Sequence, residues 1–321
     1  MDTVVSFYKF KTLSDLPALK ADILALAQAG ELRGTVLLAS EGINASVAGT
    51  ESAVNTFLET LQNDPRIGSF SEEKKNPATL TTHRRLLVKI KKEIVTMRKE
   101  NLVPQEDTGY FLSPETFKQW CDEGKQMILV DTRNDYEVAL GKFKGALDPQ
   151  TKSFGAFPEW VEKNLADRKD ATIVTYCTGG IRCEKATAYM KQEGFTDVYQ
   201  IKGGILQYFA DLAKDGQAPH WEGECIVFDK RLAVTPDLNV TKKNLCFMCL
   251  CELTSENIVD QKLAAGFLCK TCFSDFTSKR LEREEEGRLR QELFRKKRAE
   301  HCQEVRRRWS AQEDDDFSSA L

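Results

Sequence analysis

The sequence predicts a multidomain α/β protein, and three observations support this fold class. The chain has 321 residues, enough for about two or three domains of ordinary size. Apolar runs with strand and helix periodicity alternate from Val4 to Phe209, and two CxxC pairs follow them. Hydrophobic residues make up 41% and charged residues 30% of the chain, which predicts ordinary cores and at least one solvated segment.

The first hundred residues predict a small α+β domain. Its two helices begin after Ser14 or Asp15 and after Thr50, because these side chains can cap a helix, and the first helix stops at Gly30. The predicted strands span residues 4–10, 34–39, 45–47 and 86–94. The order βαββαβ is typical of ferredoxin-like domains, among them acylphosphatase-like ones.

The last of these strands is basic. Seven Lys or Arg and one acidic residue, Glu93, lie between Arg84 and Lys99. A basic edge strand guards a sheet against edge-to-edge pairing, and it can also contact a phosphate backbone. The sequence leaves both interpretations open.

A parallel α/β domain is predicted after a linker at residues 99–112. Ser113 caps its first helix, with Pro114 at the first helical position. A buried strand at 127–130 leads into Asp131-Thr-Arg-Asn-Asp-Tyr-Glu137, and strands at 172–176 and 197–200 alternate with helices. This alternation predicts a parallel sheet with helices on both faces.

Cys177 lies where the strand 172–176 ends and a helix at 182–190 begins. Backbone N–H groups and the helix dipole at such a junction favour an anion, so the thiolate forms easily. We therefore predict Cys177 and Arg182 as catalytic residues, Arg182 supplying a fixed positive charge. The active-site loop between them comprises Thr178, Gly179, Gly180 and Ile181. The alternative is a buried cysteine beside a helix start, and Cys183 is interpreted as helix packing or as a resolving thiol.

Two CxxC pairs separated by 19 residues predict a structural zinc site with four thiolate ligands, Cys246, Cys249, Cys269 and Cys272. Cys251 is a spare thiol, and a cluster of free thiols is the alternative.

The segment after Thr277 is charged, with twelve basic and seven acidic residues at 279–308. This composition predicts a solvated helix or a disordered tail whose basic clusters could hold RNA phosphates. The predicted domains span residues 1–100, 101–220, 221–276 and 277–321.

The location predicted from the sequence is the cytoplasm. The N-terminus has neither a basic region nor a long apolar core, and no apolar run reaches the length of a membrane span. Nine of the ten cysteines lie in the second half of the chain and include CxxC pairs. In a chain without a secretory signal, this pattern indicates metal or catalytic chemistry and not disulfides.

The middle domain resembles the rhodanese family, in which the cysteine of a Cys-x4-Arg loop carries a persulfide. Asp131 to Glu137, Gly141-Lys-Phe-Lys-Gly-Ala146 and Lys202-Gly-Gly-Ile205 resemble further rhodanese motifs. Lys142 and Phe143 depart from the usual His and Ile. The related phosphatase loop, Cys-x5-Arg, is one residue longer. Asp131 and Arg133 are predicted to be an ion pair that orders the loop.

The arrangement of domains over about residues 4–275 resembles the bacterial rhodanese-domain tRNA uridine hydroxylases. The resemblance rests also on Ala39-Ser-Glu-Gly-Ile-Asn44, on Trp221 to Arg231 and on the CxxC pairs. It implies an oxidoreductase that uses O2 as co-substrate to convert the wobble uridine of tRNA to 5-hydroxyuridine, with Cys177 as its active cysteine. The residues themselves show no flavin or NAD fingerprint. A sulfurtransferase carrying a Cys persulfide and a non-catalytic RNA-binding module are the alternatives.

Overall fold

The computed structural model describes residues 2–70, 73–78, 83, 85–99, 102–215, 220–228, 231–246, 249–259 and 267–274. The chain divides into two compact units, Met1–Lys243 and Asn244–Leu321. The charged segment after Thr277, with its predicted helical or disordered state, lies outside the described residues. In the described part of the chain, no helix combines the length and the apolar character needed to cross a membrane.

The N-terminal part of the first unit is a five-stranded sheet with two helices on one face. The strands are β1 (Asp2–Phe10), β2 (Arg33–Ala39), β3 (Gly42–Thr50), β4 (Glu73–Ala78) and β5 (Leu86–Ile90). The helices are α1 (Leu16–Ala29) and α2 (Glu51–Asn63). The strand order is β4-β1-β3-β2-β5, in which β5 runs parallel to β2 and the other neighbours are antiparallel.

Local chemistry sets the limits of both helices as the sequence predicts. The Asp15 side chain accepts a hydrogen bond from the Ala18 amide (3.3 Å) and begins α1, which ends before Gly30. Thr50 caps α2 through the Ala53 amide (3.2 Å). The helices bury their apolar stripes against β1, β2 and β3 in one core, with the predicted stripe of α2 buried at Val54, Phe57, Leu58 and Leu61.

The strands differ more from the prediction than the helices do. β4 has the sequence Glu-Lys-Lys-Asn-Pro-Ala, which lacks apolar alternation and contains a proline, so its composition argues against a strand. β4 lies at the sheet edge and pairs with one strand only. Pro77, which has no backbone N–H to donate, is tolerated there because no second strand needs that donor. The predicted strand at 86–94 ends at Ile90, and the predicted strand at 45–47 extends over all of β3.

The second part of this unit is a four-stranded parallel sheet with helices on both faces. Its strands are β6 (Tyr110–Leu112), β7 (Ile128–Asp131), β9 (Ile173–Tyr176) and β10 (Val198–Ile201), in the order β6-β10-β9-β7. Its helices are α3 (Pro114–Asp122), α4 (Asp135–Leu140), α5 (Phe157–Asn164), α6 (Ile181–Gln192) and α7 (Gly204–Asp215). α3 and α7 contribute to the core on one face of the sheet, and α5 and α6 to the core on the other. β6 lies inside the region that was predicted to be a linker. The sequence did not indicate a strand there because Tyr110 and Phe111 are exposed, so no alternation of buried and exposed residues marks it.

One short strand pair joins the segment after α7 to this sheet domain, and a second pair lies within the segment. β8 (Gly141–Phe143) pairs with β11 (Trp221–Gly223), and β12 (Cys225–Ile226) pairs with β13 (Ala233–Val234). Trp221 packs edge-on against Phe143, with ring centroids 5.0 Å apart. The segment from Trp221, which the sequence left unexplained, is therefore anchored in the core of the parallel-sheet domain.

Candidate functional site

Cys177 lies directly after β9, at the carboxyl end of a central parallel strand, and α6 begins four residues later at Ile181. Gly180 has a φ of +101°, which turns its amide toward the cysteine. This amide donates a hydrogen bond to the Cys177 Sγ (3.0 Å), as the sequence led us to expect of the loop backbone. The cysteine is 1% exposed, so only groups that enter the adjoining pocket can reach it.

The surroundings of Cys177 favour its thiolate. Burial opposes ionisation, but three effects outweigh it: the hydrogen bond with Cys183, the positive charge of Arg182, and the amides of Arg182 and Gly180. Together they lower the pKa of Cys177 to about 5. Burial and the Cys177 sulfur raise the pKa of Cys183 well above its ordinary value. Cys183 therefore stays protonated and acts as a hydrogen-bond donor to the neighbouring anion.

The guanidinium of Arg182 is held by a carboxylate that the sequence did not single out. Arg182 makes two hydrogen bonds of 2.7 Å to Glu137, whose side chain is fully buried. Glu137 also accepts from the Asn134 amide (3.1 Å). Burial opposes the ionisation of Glu137, yet Arg182 and Arg133 lower its pKa. The bidentate pair fixes the orientation of Arg182, so its charge acts on Cys177 from a constant position.

Asp131 and Arg133 form the ion pair that the sequence predicted. Both side chains are completely buried, and the Arg133 guanidinium donates to Asp131 (2.6 Å) and to the Gly141 carbonyl (2.6 Å). These contacts tie the end of β7 to β8, behind the Cys177 loop. They order the segment between β7 and β8, and neither residue lines the pocket beside Cys177.

A pocket of about 540 Å³ opens onto Cys177, and both parts of the first unit form its walls. Thr178, Gly179, Ile181 and Arg182 lie on the loop side. The opposite wall is the face of the N-terminal sheet that α1 and α2 leave uncovered. It carries neutral side chains, among them Val4, Ser6, Thr35, Leu37, Asn44 and Ser46. Arg182, Arg231 and His83 also line the pocket, so it combines a largely neutral wall, which suits a small heterocycle, with cations that can meet an anionic group.

Two adjacent residues of α6 fasten the N-terminal sheet to the loop. Glu184 accepts a hydrogen bond from the Tyr8 hydroxyl (2.7 Å). The Lys185 ammonium is completely buried and contacts Glu41 (2.8 Å), Glu93 and the Val95 carbonyl (3.1 Å). Tyr8 also covers the loop itself, since a Cβ at position 180 would lie 2.8 Å from its hydroxyl oxygen. The N-terminal domain is therefore packed directly against the Cys177 loop.

Both domains and the chain as a whole are similar to known proteins. Residues 3–94 match the family model described as UPF0176 acylphosphatase like domain, and residues 113–211 match the rhodanese-like domain. A Rhizobium etli protein named tRNA uridine(34) hydroxylase is 39% identical over 298 residues, covering 93% of this chain and 95% of the relative. A Picosynechococcus protein of the same name is 40% identical and covers 87% of this chain and 93% of the relative.

The chain belongs to the tRNA uridine(34) hydroxylase family. The predicted fold class is thereby confirmed, since the two family models match an acylphosphatase-like and a rhodanese-like domain in the predicted order. The predicted resemblance to rhodanese-domain tRNA uridine hydroxylases is confirmed as well.

The second unit of this hydroxylase family member contains a cluster of thiols. The sulfurs of Cys246, Cys249, Cys251 and Cys269 all lie within 4.8 Å of one another. The Cys249 and Cys269 sulfurs are 3.8 Å apart, the separation of two ligands that lie about 2.3 Å from one tetrahedral zinc. Cys272 is adjacent, since its amide donates to the Cys269 sulfur (3.4 Å). The donor set fits zinc, and the group of mutually close sulfurs contains three of the four predicted ligands, with Cys251 in the place predicted for Cys272.

The site of this hydroxylase family member also includes residues that sequence reasoning missed. Glu137 lay in a motif that was noted but given no role, and its partner Arg182 is 45 positions away. Glu41 likewise lay in a noted motif, Ala39 to Asn44, with no role assigned. A weak signal was available for Glu41, because it is the one charged residue of a glycine-containing motif, whereas Glu137 follows other polar and charged residues and does not stand out from them. The sequence alone could not show which cation each would meet.

Proposed function

We propose that the protein hydroxylates uridine 34 of tRNA to 5-hydroxyuridine in the pocket beside Cys177. One observation carries the proposal: a buried cysteine that favours its thiolate faces a pocket walled by the N-terminal sheet, in a chain 39% identical to a named tRNA uridine(34) hydroxylase. The catalytic residues proposed are Cys177 and Arg182. The loop residues Thr178, Gly179, Gly180 and Ile181 hold the sulfur in place.

The thiolate supplies the nucleophile in the proposed mechanism. Cys177 Sγ adds to C6 of the uracil, which moves electron density onto C5 and the O4 carbonyl. C5 then forms a bond to one oxygen of O2, the co-substrate, to give a C5 hydroperoxide after protonation. Two electrons from the external reductant break its O–O bond, which leaves a hydroxyl on C5 and releases water. Loss of the C5 proton and departure of the thiolate restore the C5–C6 double bond. The overall balance consumes one O2, two electrons from an external reductant and two protons, and it releases 5-hydroxyuridine and one water.

The alternatives account for less of the geometry. A sulfurtransferase carrying a Cys177 persulfide needs the loop, but it leaves the neutral wall from the N-terminal sheet without a role. A non-catalytic RNA-binding module leaves the low pKa of Cys177 without a role. Release of sulfite from thiosulfate, measured on the purified protein, distinguishes the first alternative from hydroxylation.

Mass spectrometry of tRNA nucleosides from a deletion strain tests the proposal. Complementation with the wild-type protein should restore nucleosides derived from 5-hydroxyuridine, and Cys177→Ser should not. Cys121→Ser is the matched control, because this partly exposed cysteine of α3 lies outside the pocket. In a strain without a second route to these nucleosides, full restoration by Cys177→Ser contradicts the proposed mechanism.

Two further assignments complete the proposal. A structural zinc would be held by Cys246, Cys249 and Cys269, with either Cys272 or Cys251 as the fourth ligand. Bound there, the metal would cross-link a segment with a small core of its own. A tRNA substrate, as the names of the relatives indicate, supports a cytoplasmic location.

A further inference from the structure

Phe228 is a large hydrophobic side chain at the pocket that folding does not explain. It is 63% exposed, yet it lines the same pocket as Cys177. The Cζ atom of Arg182 lies 5.8 Å from the centroid of its ring. Single exposed hydrophobic side chains are common on protein surfaces, but this one lies in the wall of the pocket that contains the reactive sulfur, where a bound ligand would cover it.

The backbone that carries Phe228 is firmly anchored. Cys225, Ile226 and Val227, which precede it, are all buried. The Val227 amide donates to the Leu232 carbonyl (2.9 Å) and closes the turn between β12 and β13. Further back, β11 pairs with β8 and places Trp221 in the core. Phe228 is therefore an exposed ring on a well-packed support and not the end of a loose segment.

The other residues that line the pocket indicate what kind of ligand would contact the Phe228 ring. Ser6, Thr35, Asn44 and Ser46 offer neutral donors and acceptors on the facing sheet, and Val4 and Leu37 offer apolar surface. Arg182, Arg231 and His83 also line the pocket, and a nucleotide, which joins a neutral base with polar edges to an anionic phosphate, matches this combination. Every base has a π-face that can stack on an aromatic side chain, which adds roughly 5- to 150-fold to affinity per base.

We infer that Phe228 is the stacking platform for the target uracil when it leaves the anticodon stack and enters the pocket. The inference rests on the proposed function and deepens it, because it assigns a residue to binding of the substrate base. A base must be unstacked before its ring atoms are accessible to an enzyme, and an aromatic platform offsets part of that cost. The aromatic residue and the nucleophile then act on the same ring within one cavity.

The test is a thermodynamic cycle that combines removal of the Phe228 ring with removal of the base at position 34 of the RNA. Binding is measured by fluorescence anisotropy with an anticodon stem-loop and with the same stem-loop made abasic at position 34. Both are measured in a Cys177→Ser background, which prevents turnover. Phe228→Ala should weaken binding of the intact stem-loop by roughly fivefold or more and change binding of the abasic one by less than about twofold. Phe228→Trp should retain affinity, and Phe228→Leu should lose it, because leucine has no π-face.

Phe111→Ala is the matched control. Phe111 is 52% exposed on β6 and does not line the pocket, so its removal should leave both affinities unchanged. Equal weakening of the intact and abasic stem-loops by Phe228→Ala, or no weakening of either, overturns the inference. An unchanged melting temperature of Phe228→Ala confirms that the variant is folded.

Failure of this inference and failure of the proposed function give different results. If Phe228→Ala forms 5-hydroxyuridine with the wild-type KM for tRNA, the stacking role is wrong and the hydroxylase function stands. If the wild-type protein forms none, the function is wrong, and the abasic cycle still reports whether a base stacks on Phe228. The expected result is a KM for tRNA that rises roughly fivefold or more with a smaller change in kcat.

Discussion

The ionisation of Cys177 depends on groups that lie on both sides of its sulfur. The Gly180 amide donates to the sulfur directly, and Arg182 supplies a positive charge whose position Glu137 fixes. Cys183, fully buried in α6, donates from its thiol. Burial alone would keep a thiol neutral, so these donors are what make the cysteine nucleophilic at neutral pH.

We predict that Cys177 is a thiolate at physiological pH. Its pKa is lowered to about 5, so the sulfur is anionic above that pH and becomes protonated as the pH falls through it. The ultraviolet absorbance of the thiolate, taken as the difference between wild type and Cys177→Ser, measures this titration. Any activity that needs the anion should decline in the same pH range.

The hydrogen bond from the Cys183 thiol to the Cys177 sulfur allows the low pKa of Cys177 to be tested by a second substitution. Cys183→Ala removes a donor to the anion, which should raise the pKa of Cys177 by about one to two units. Cys225→Ala is the comparison, since Cys225 is equally buried but is not among the groups that stabilise the thiolate. A titration that Cys183→Ala leaves at its original midpoint contradicts the role assigned to this thiol.

At the scale of single residues, the sequence predicted the local part of the site. The strand, the cysteine, the glycines and the helix start are contiguous, so the amide donor to Cys177 followed from their order. The partner of Arg182 could not be found in the same way. Glu137 reaches it only because β7 and β9 are neighbours in the sheet, and that pairing is a property of the whole domain.

Among the elements, α6 has a double role. Its first turns carry Cys183 toward the Cys177 loop, and they carry Glu184 and Lys185 toward the N-terminal sheet. The buried ammonium of Lys185 lies between two carboxylates that come from separate loops of the N-terminal domain. A buried charge with such partners orients the elements that carry them, because any displacement leaves a charge unpaired.

We predict that Lys185→Met destabilises the protein and opens the pocket. The substitution leaves Glu41 and Glu93 without their cation, and breaking a buried ion pair in this way costs about 3–5 kcal/mol. Urea unfolding measures the loss. The matched control is Lys163→Met, which removes an exposed pair with Glu159 on α5 and should cost far less, because water screens the two charges. Equal losses from the two variants would show that the buried lysine has no special role.

The elements themselves were predictable to the extent that they carry their own signals. α1, α2 and α3 begin at side-chain caps that are visible in the sequence. β4 and β6 carry no such signal, because both lie at the edge of a sheet, where one neighbouring strand supplies all the hydrogen bonds. An edge strand needs little apolar alternation, and its sequence is difficult to distinguish from that of a loop.

For the whole molecule, the division at residues 1–100, 101–220, 221–276 and 277–321 remains a proposal. The pairing of β11 with β8 favours placing the segment from Trp221 with the rhodanese-like domain. β5 is an edge strand, and Lys89 on it is exposed. Its two interpretations, as a guard against sheet pairing and as a phosphate contact, both remain compatible with this position.

We predict that the purified full-length protein contains about one zinc per chain and that the metal stabilises the second unit. Cys246→Ser should abolish metal retention, measured by inductively coupled plasma mass spectrometry, because this buried thiol belongs to the cluster. Cys251→Ser and Cys272→Ser identify the fourth ligand, since only one of them should lose the metal. Cys121→Ser should retain it, and full retention by Cys246→Ser contradicts the site.

The close packing of Tyr8 against Gly180 limits how the two domains can be separated or recombined by protein engineering. The loop that holds the sulfur has no room for a side chain at position 180 because the neighbouring domain occupies that space. A rhodanese-like fragment excised from this chain would keep its nucleophile and lose one wall of its substrate chamber. An engineered protein that is to retain the hydroxylase site would therefore have to contain both domains and the interface between them.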